Sequence, residues 1–508
     1  MITIGAFQEL KNKFGQRFKD SPADKLTFSK DKWLKLKFIE KREKPFSHLA
    51  DGVVEPAGTD EIQWLVQWAV KNNVPLIPRG GGSGVCGAAV PVNGGIVIDM
   101  SSLNRIWGIN YADEYIWVES GIMGNQIEKA LQVITPENFY LNYQYTCGHS
   151  PASLSISTPG GWIATRSAGQ FSSIYGTIED LVLAIEAVNE KGERELIKGD
   201  DLKRFFRMEG SSGIITKVKM RIFPVSPFRQ FLAFRFDDSK WAMGIVKAVS
   251  LLMERHENTD PHCVVRLYDS LDAAVNGPRI RDRRTKKANL AERFLLKYPT
   301  FLNKIAAKLE KKGKIQPLLV VMIQPPLDFY RCTNEQLSNL MAEKAFQFKD
   351  IISSFGGTFV GSDLAEAWYN NRFKLTYENV ERRFEKGIFV ETFDTTVPLD
   401  CVLEVYTAVK NAVSGCAVVL AHLSHIINET CCIYFTFAGK GRNLQETELL
   451  YDKVCDKSAR AAIDAGAFIT HHHGIGLKNI GYARYAYGSE WFMETREFQS
   501  DIFNPKKL

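Results

Sequence analysis

Pro78-Arg79-Gly80-Gly81-Gly82-Ser83-Gly84 follows a short apolar strand, Val74-Pro-Leu-Ile, which itself follows an amphipathic helix. Thr59 or Asp60 is expected to cap that helix, with Ile62, Leu65, Val66 and Ala69 on one face. The glycines strip side chains from successive backbone N–H groups, so the loop can form an anion nest. It is neither Gly-x-x-x-x-Gly-Lys-Ser/Thr nor a Gly-x-Gly-x-x-Gly that opens a helix, and taken alone a tight turn accounts for it.

The segments that follow supply context. Gly95 to Met100 and Tyr115 to Ser120 read as strands and Gly124 to Val133 as a short amphipathic helix. Ser157-Thr-Pro-Gly-Gly-Trp-Ile-Ala-Thr-Arg-Ser-Ala-Gly-Gln is long, irregular and rich in small and hydroxylated residues, as expected where backbone wraps a large polar ligand. Tyr175-Gly-Thr-Ile-Glu-Asp comes next, then a hairpin of Val182 to Val188 and Arg194 to Ile197. Glu209-Gly-Ser-Ser-Gly leads into a half-exposed strand in which Ile214, Thr216, Val218 and Met220 alternate with Ile215, Lys217, Lys219 and Arg221, ending at Pro224.

These four blocks, in this order, resemble the FAD domain of the vanillyl-alcohol oxidase superfamily. The resemblance implies an α+β fold, with a two-part PCMH-type FAD-binding domain and an α+β cap domain whose antiparallel sheet is covered by helices. It implies that Pro78, Arg79, Gly80, Gly81, Gly82, Ser83 and Gly84 hold the pyrophosphate. Ser157, Thr158, Gly160, Gly161, Thr165, Arg166 and Gly169, with Glu209, Gly210, Ser211, Gly213, Ile214 and Ile215, would line the rest of the cofactor. Some relatives attach the flavin through a histidine in the first loop; this loop has none, so non-covalent FAD is expected.

The chain of 508 residues can bury large cores. Residues 1–45 read as a polar, basic arm without chemistry, 46–226 as the FAD-binding domain, 227–455 as the substrate-binding cap and 456–508 as a C-terminal segment closing on the FAD domain. In the cap, Phe231 to Phe236, Val264 to Tyr268, Leu318 to Ile323, Phe389 to Thr396, Val418 to Leu423 and Cys431 to Phe437 read as strands. Trp241 to His256, Glu335 to Phe355, Leu399 to Val413 and Glu446 to Ala465 read as helices. The N-terminus lacks the marks of a secretory signal and no apolar run spans a bilayer, so an intracellular protein is expected, cytoplasmic or peripheral to a membrane. Nine cysteines without a Cys-x-x-Cys fit reduced, buried thiols. The final Lys-Lys-Leu is similar to the peroxisomal Ser-Lys-Leu address but lacks its serine.

The net charge of +6 is local: residues 279–314 hold 13 Lys+Arg against 3 Asp+Glu, leaving the rest of the chain negative. Within that stretch Phe301, Leu302, Ile305, Ala306 and Leu309 share one side, ringed by Lys304, Lys308, Lys311 and Lys312. This is the profile of a membrane-interfacial helix or of an ordinary surface helix. No nucleic-acid-binding fold accompanies the charge.

Phe468-Ile-Thr-His-His-His-Gly-Ile-Gly476 holds three of the nine histidines. If the run is extended, His471 and His473 share one face and His472 the other. Metal binding and proton transfer both suit such a run. With Gly148-His-Ser-Pro, Val265-Arg-Leu-Tyr-Asp, His422-Leu-Ser-His and Cys432-Ile-Tyr-Phe-Thr-Phe, it resembles the alkyldihydroxyacetonephosphate synthases from about Asp51 to the C-terminus. The Trp-rich motif expected before the FAD domain is missing. The resemblance implies exchange of the acyl chain of acyl-dihydroxyacetone phosphate for a long-chain alcohol in ether lipid synthesis, without net redox change, with FAD as an electrophile and covalent trap. His471, His472, His473 and Tyr434 would be catalytic, and Arg266, Arg372, Lys374, His422 and His425 would meet the lipid-like phosphorylated substrate. A homodimer and a peripheral membrane surface at 279–314 are expected.

The glycolate and D-lactate dehydrogenases are similar in the same cap, but they carry His-x-Gly-Asp-Gly-Asn-x-His and a glutamate holding a divalent metal. Here Cys432 stands in place of the second histidine and His472 in place of the glutamate, so no metal is expected, with a rewired zinc site as the alternative. A 2-hydroxy-acid or alcohol dehydrogenase or oxidase is the second functional reading, and a non-catalytic flavoprotein the third.

Overall fold

In the computed structural model, residues 2–44, 46–133, 143–254, 260–278, 299–373, 377–496 and 503 are described. The chain divides into two compact units, one made of 1–169, 175–225 and 472–508, the other of 170–174 and 226–471.

The first unit holds two sheets. In one, β2 (Gly52–Val54), β4 (Ile96–Asp99) and β3 (Leu76–Arg79) run parallel, with β1 (Phe18–Lys19) antiparallel at the β2 edge. The helix Thr59–Asn72 joins β2 to β3 and buries Ile62, Leu65, Val66 and Ala69 against Leu10, Phe14, Ile96 and Ile98. Its N-cap is Gly58 rather than Thr59 or Asp60. The Thr59 hydroxyl is occupied elsewhere, donating to Glu186 Oε1 at 2.9 Å. The other sheet is antiparallel, in the order β5 (Ile106–Asn110), β6 (Tyr115–Glu119), β10 (Ile214–Arg221), β8 (Val182–Val188) and β9 (Arg194–Lys198). A two-stranded ladder pairs β7 (Tyr145–Thr146) with β11 (Phe223–Pro224).

The second unit is built on eight antiparallel strands in the order β15 (Thr358–Phe359), β12 (Gln230–Arg235), β14 (Leu318–Gln324), β13 (His262–Tyr268), β17 (Val418–Ile427), β18 (Thr430–Gly439), β16 (Phe389–Pro398) and β19 (Phe468–Ile469). Along β18 Cys431 and Cys432 are both fully buried, and from there the fully buried Ile433, Phe435 and Phe437 alternate with the half-buried Tyr434 and Thr436, the period of two that a strand with one apolar face requires. Asn428 and Glu429 both take positive φ in the two-residue turn between β17 and β18, matching the twist of a tight hairpin. Helices Val402–Val413 and Leu444–Asp464 pack on each other, the second also on β16. The fold is α+β.

The helix expected over Trp241–His256 is broken into Ser239–Gly244 and Val246–Met253, because Gly244 weakens the helix where the first segment ends. The helix Pro299–Lys311 has no fully buried residue. Polar bonds fix its inner side: Asn303 donates to Ser414 O at 2.8 Å, and Glu310 accepts from Ser239 N at 2.8 Å and Ser270 Oγ at 2.5 Å. Phe301 is 57% exposed. Residues 279–298 of the basic stretch, and Lys374, lie outside the described residues. No described helix is long and apolar enough to cross a membrane.

Candidate functional site

In the first unit the glycine loop leaves β3 and turns against residues 156–158. A Cβ on Gly80 would collide with Thr158 Oγ1, and one on Gly81 with Ile156 O. Gly82 has φ 62°, and a Cβ there would strike the Arg79 guanidinium, which is folded back over its own loop and lies on the Phe28 ring. Burial pulls Arg79 below its ordinary pKa, opposed by Asp99 and Asp31. Asp31 clamps the loop from the N-terminal segment, accepting Trp33 N–H at 2.9 Å and Gly87 N–H at 2.8 Å. Burial pushes its carboxyl up to about 6. The amides of Gly80, Gly81, Gly82 and Gly84 bond no acceptor among the described residues, so a row of backbone donors is available to an anion, and the loop fits the pyrophosphate of FAD.

The second segment expected to line the cofactor is equally tight. Thr158 caps the short helix Pro159–Thr165, with Pro159 at its first position, and Ser157 Oγ accepts Trp162 Nε1–H at 2.8 Å. Gly160 lies against Ser120, and a Cβ on Gly169 would come within 2.5 Å of Ser150 N. Thr165 hydrogen-bonds Gly161 O, and Arg166, in the left-handed region, pairs with Glu179 at 2.7 Å. Gly210 and Gly213 hold positive φ, Ser211 donates to Met208 O, and Ile214 and Ile215 enter β10. Glu209, buried at φ 51°, accepts the Gly476 amide through both carboxylate oxygens, at 2.9 and 3.1 Å. It anchors the turn after the histidines, where Lys478 N also donates to Cys86 O. His472 and His473 pack edge to face, their centroids 4.5 Å apart.

The second unit carries a polar row across its sheet. Tyr268 pairs with His422, His422 with Tyr434, and Tyr434 with Asp394, so four side chains from β13, β17, β18 and β16 share one face. The His422 and Tyr434 rings stack at 4.8 Å and 11°. Arg266 donates through Nη2 to His422 Nε2 at 2.7 Å. At the sheet edge Asp394 accepts the His471 amide at 2.8 Å and the Thr470 hydroxyl at 3.2 Å. This holds Thr470 at φ 56°, so β19 ends at Ile469 and the histidines form a bend. The face alternation expected of an extended run therefore does not apply. His471 stacks on His425 at 5.0 Å; His425, at a bulge with φ 53°, hydrogen-bonds Ser172 Oγ at 2.8 Å. The Arg372 guanidinium lies 4.0 Å from the Tyr369 centroid and 5.4 Å from that of Phe171.

Three groups were not singled out from sequence: Asp31, Asp272 and Asp394. His149 is fully buried, hydrogen-bonds Ser167 Oγ at 2.7 Å and is pulled down to about 3 by burial. It stood in the Gly148-His-Ser-Pro block without an assigned role, and Gly148 before it holds φ 72°.

Residues 50–197 match the FAD binding domain family, and residues 332–508 match the C-terminal domain of FAD linked oxidases. An alkyldihydroxyacetonephosphate synthase of Dictyostelium discoideum is 27% identical over 484 residues, covering 90% of this chain and 73% of the relative. A glycolate oxidase subunit of Bacillus subtilis is 29% identical over 234 residues, 44% of this chain and 46% of that one. A solved alkyldihydroxyacetonephosphate synthase structure, 23% identical, superposes with TM-score 0.74 over 100% of this chain and 86% of its own, a likeness of fold. The chain thus carries an FAD binding domain followed by a C-terminal domain of the kind found in FAD linked oxidases, and is a flavoprotein.

Proposed function

We propose that the protein exchanges the ester-linked acyl chain of acyl-dihydroxyacetone phosphate for a long-chain alcohol. The observation that carries this reading is the polar row of the second unit. It offers the three things the exchange needs from the protein: a cation (Arg266), a hydroxyl (Tyr434) and a histidine (His471) whose backbone amide is pinned by Asp394. The relative from Dictyostelium discoideum supports it.

In this reading Arg266 binds the phosphate, and a histidine of the run takes a proton from the carbon beside the ketone, a role suited to an imidazole near neutral pH. Tyr434 orients the leaving carboxylate and the entering alcohol. FAD, when bound, supplies an electrophile. The ester C–O bond breaks, an ether C–O bond forms, the alcohol's proton leaves with the fatty acid, and no electrons are gained or lost overall. The test is to incubate the FAD-loaded protein with acyl-dihydroxyacetone phosphate and labelled hexadecanol. Label in an alkali-stable ether product supports the reading, and its absence overturns it.

A second reading, oxidation of a 2-hydroxy acid, draws on the same arginine, since a guanidinium grips carboxylate as it does phosphate. The glycolate oxidase relative supports it. Anaerobic addition of glycolate or D-lactate would then bleach the flavin stoichiometrically, whereas the exchange reaction leaves it oxidised.

A further inference from the structure

Arg266 makes a single hydrogen bond among the described residues, and its partner is an imidazole rather than a carboxylate. A guanidinium only donates, so His422 Nε2 is the acceptor and the ring proton sits on Nδ1. From there it reaches Asp272 Oδ2 at 2.9 Å. Asp272 is 1% exposed and firmly held: its Oδ1 accepts Asn276 Nδ2 at 2.8 Å, and its own amide donates to Asp269 Oδ1 at 2.8 Å. The His422 ring is gripped on one face by Tyr434, and Tyr268 lies at 5.8 Å in a tilted contact.

His422 is held neutral: burial and the Arg266 charge pull it down to about 4, against the attraction of Asp272. Burial raises the Asp272 carboxyl, but hydrogen bonds from His422 and Asn276 outweigh it, and the group stays ionised. The order is therefore anion, neutral ring, cation. The ring fixes the guanidinium in place without cancelling its charge, and the countercharge stands one imidazole away. Arg266 Nε is buried without any acceptor, the state of a cation that lacks its anion.

We propose that Asp272, acting through the Nδ1–H tautomer of His422, is a positioning residue that presents Arg266 as the receptor for the acidic group of the substrate. Arg266 touches the substrate anion; His422 serves Arg266 as an acceptor, and Asp272 sets its tautomer. The choice of phosphate as that anion rests on the proposed exchange reaction, while the receptor itself does not.

The test titrates FAD-loaded protein by calorimetry with dihydroxyacetone phosphate, with unphosphorylated dihydroxyacetone as control and glycolate as the carboxylate probe. Arg266→Gln is expected to weaken dihydroxyacetone phosphate at least 100-fold. Asp272→Ala and His422→Phe, the latter keeping a ring against Tyr434 without its nitrogens, are each expected to weaken it about 10-fold. Together they should lose no more than either alone, since both break one relay. His422→Gln, whose amide can accept from Arg266 and donate to Asp272, is expected to recover to within threefold of the parent. A merely structural role would give additive losses, no recovery with glutamine and a parallel fall in melting temperature. Should Asp272→Ala not fold, Asp272→Asn is read in its place. Tight binding unchanged by the Asp272 and His422 variants overturns the inference, as does binding of neither probe. Selective, relay-dependent binding of glycolate keeps the receptor and removes the exchange reaction. Ether formation with a KM indifferent to these variants does the reverse.

Discussion

The carboxylate of Asp394 accepts the backbone N–H of His471 at 2.8 Å, 77 residues away in sequence, and the same carboxylate takes the Thr470 hydroxyl at 3.2 Å through each oxygen. Asp394 is 1% exposed, so these bonds form out of water, where a hydrogen bond to an ionised group is worth about 1.5–3 kcal/mol. They hold Thr470 at φ 56°, a conformation that costs a β-branched residue about 1–3 kcal/mol. Asp394→Ala is therefore expected to release the bend at the histidines. Turnover should fall at least 30-fold while the flavin-to-protein ratio after gel filtration stays within a fifth of the parent. Thr470→Gly, which removes the strain, should restore part of the loss in the double variant. Equal turnover in Asp394→Ala would show that the pinned bend is irrelevant to catalysis.

Glu209 plays the matching part in the first unit, where its two oxygens share the Gly476 amide. Glu209→Gln keeps the shape and exchanges one acceptor for a donor, so one of the two contacts becomes repulsive. The expected result is a two- to tenfold rise in the FAD dissociation constant, read by flavin fluorescence on dilution. Gly476→Ala should be worse, because φ is 53° and a Cβ would collide with Cys86 O.

The glycine loop makes a sharper forecast. Gly81→Ala drives a methyl into the Ile156 carbonyl, a backbone atom that cannot swing aside, and is expected to yield protein without FAD. Gly58→Ala, with open space at the Cβ position and extended φ, is the control and should bind FAD as the parent does. Full flavin content in Gly81→Ala would remove the loop from the cofactor site.

The fold class was legible because its signals are local. A glycine run after a helix and an apolar strand, and alternation along Cys431 to Phe437, each declare themselves within ten residues. Element centres followed from periodicity, but ends such as the cap at Gly58 were set by tertiary bonding, here the demand of Glu186 on Thr59. Much of the site was illegible for a related reason. Asp272 meets His422 across 150 residues, and Asp31 meets Gly87 across 56. An aspartate in or near the first turn of a helix reads as a partner of the helix N-terminus until its distant contact is known. The conformation of the histidine run stayed open in the sequence, since nothing in Thr470 itself announces a left-handed residue; Asp394 imposes it.

The helix Pro299–Lys311 carries the proposal that the protein sits on an anionic membrane. Its outer side joins Phe301, 57% exposed, to Lys304, Lys308 and Lys311, while Asn303 and Glu310 tie the inner side to the body. Each lysine near an anionic surface contributes about 1 kcal/mol. Sedimentation with phosphatidylserine-containing vesicles is expected, weakened at least fivefold by Phe301→Asp and by 0.5 M salt. Equal sedimentation with neutral phosphatidylcholine, or none with either, would remove the membrane role.

Acid should destabilise the protein through its buried histidines. His422 is pulled down to about 4 and His149 to about 3, against an ordinary value of about 6.5 in the unfolded chain. Between those values and 6.5 the unfolded state binds protons that the native state refuses, so stability rises with pH, each histidine contributing up to about 1.4 kcal/mol per pH unit. Asp31 works in the opposite sense: with its carboxyl raised to about 6, the native state holds a proton that an unfolded aspartate has lost above about 3.9, so this term lowers stability as pH climbs towards 6. Two rising terms against one falling term predict a melting temperature that climbs from pH 4.5 to 6.5, then flattens. His149→Gln should reduce the slope, because glutamine keeps a polar group near Ser167 without a titrating proton, while Asp31→Asn should steepen it below pH 6. A melting temperature flat across this range in the parent would show that neither histidine is held neutral by the fold.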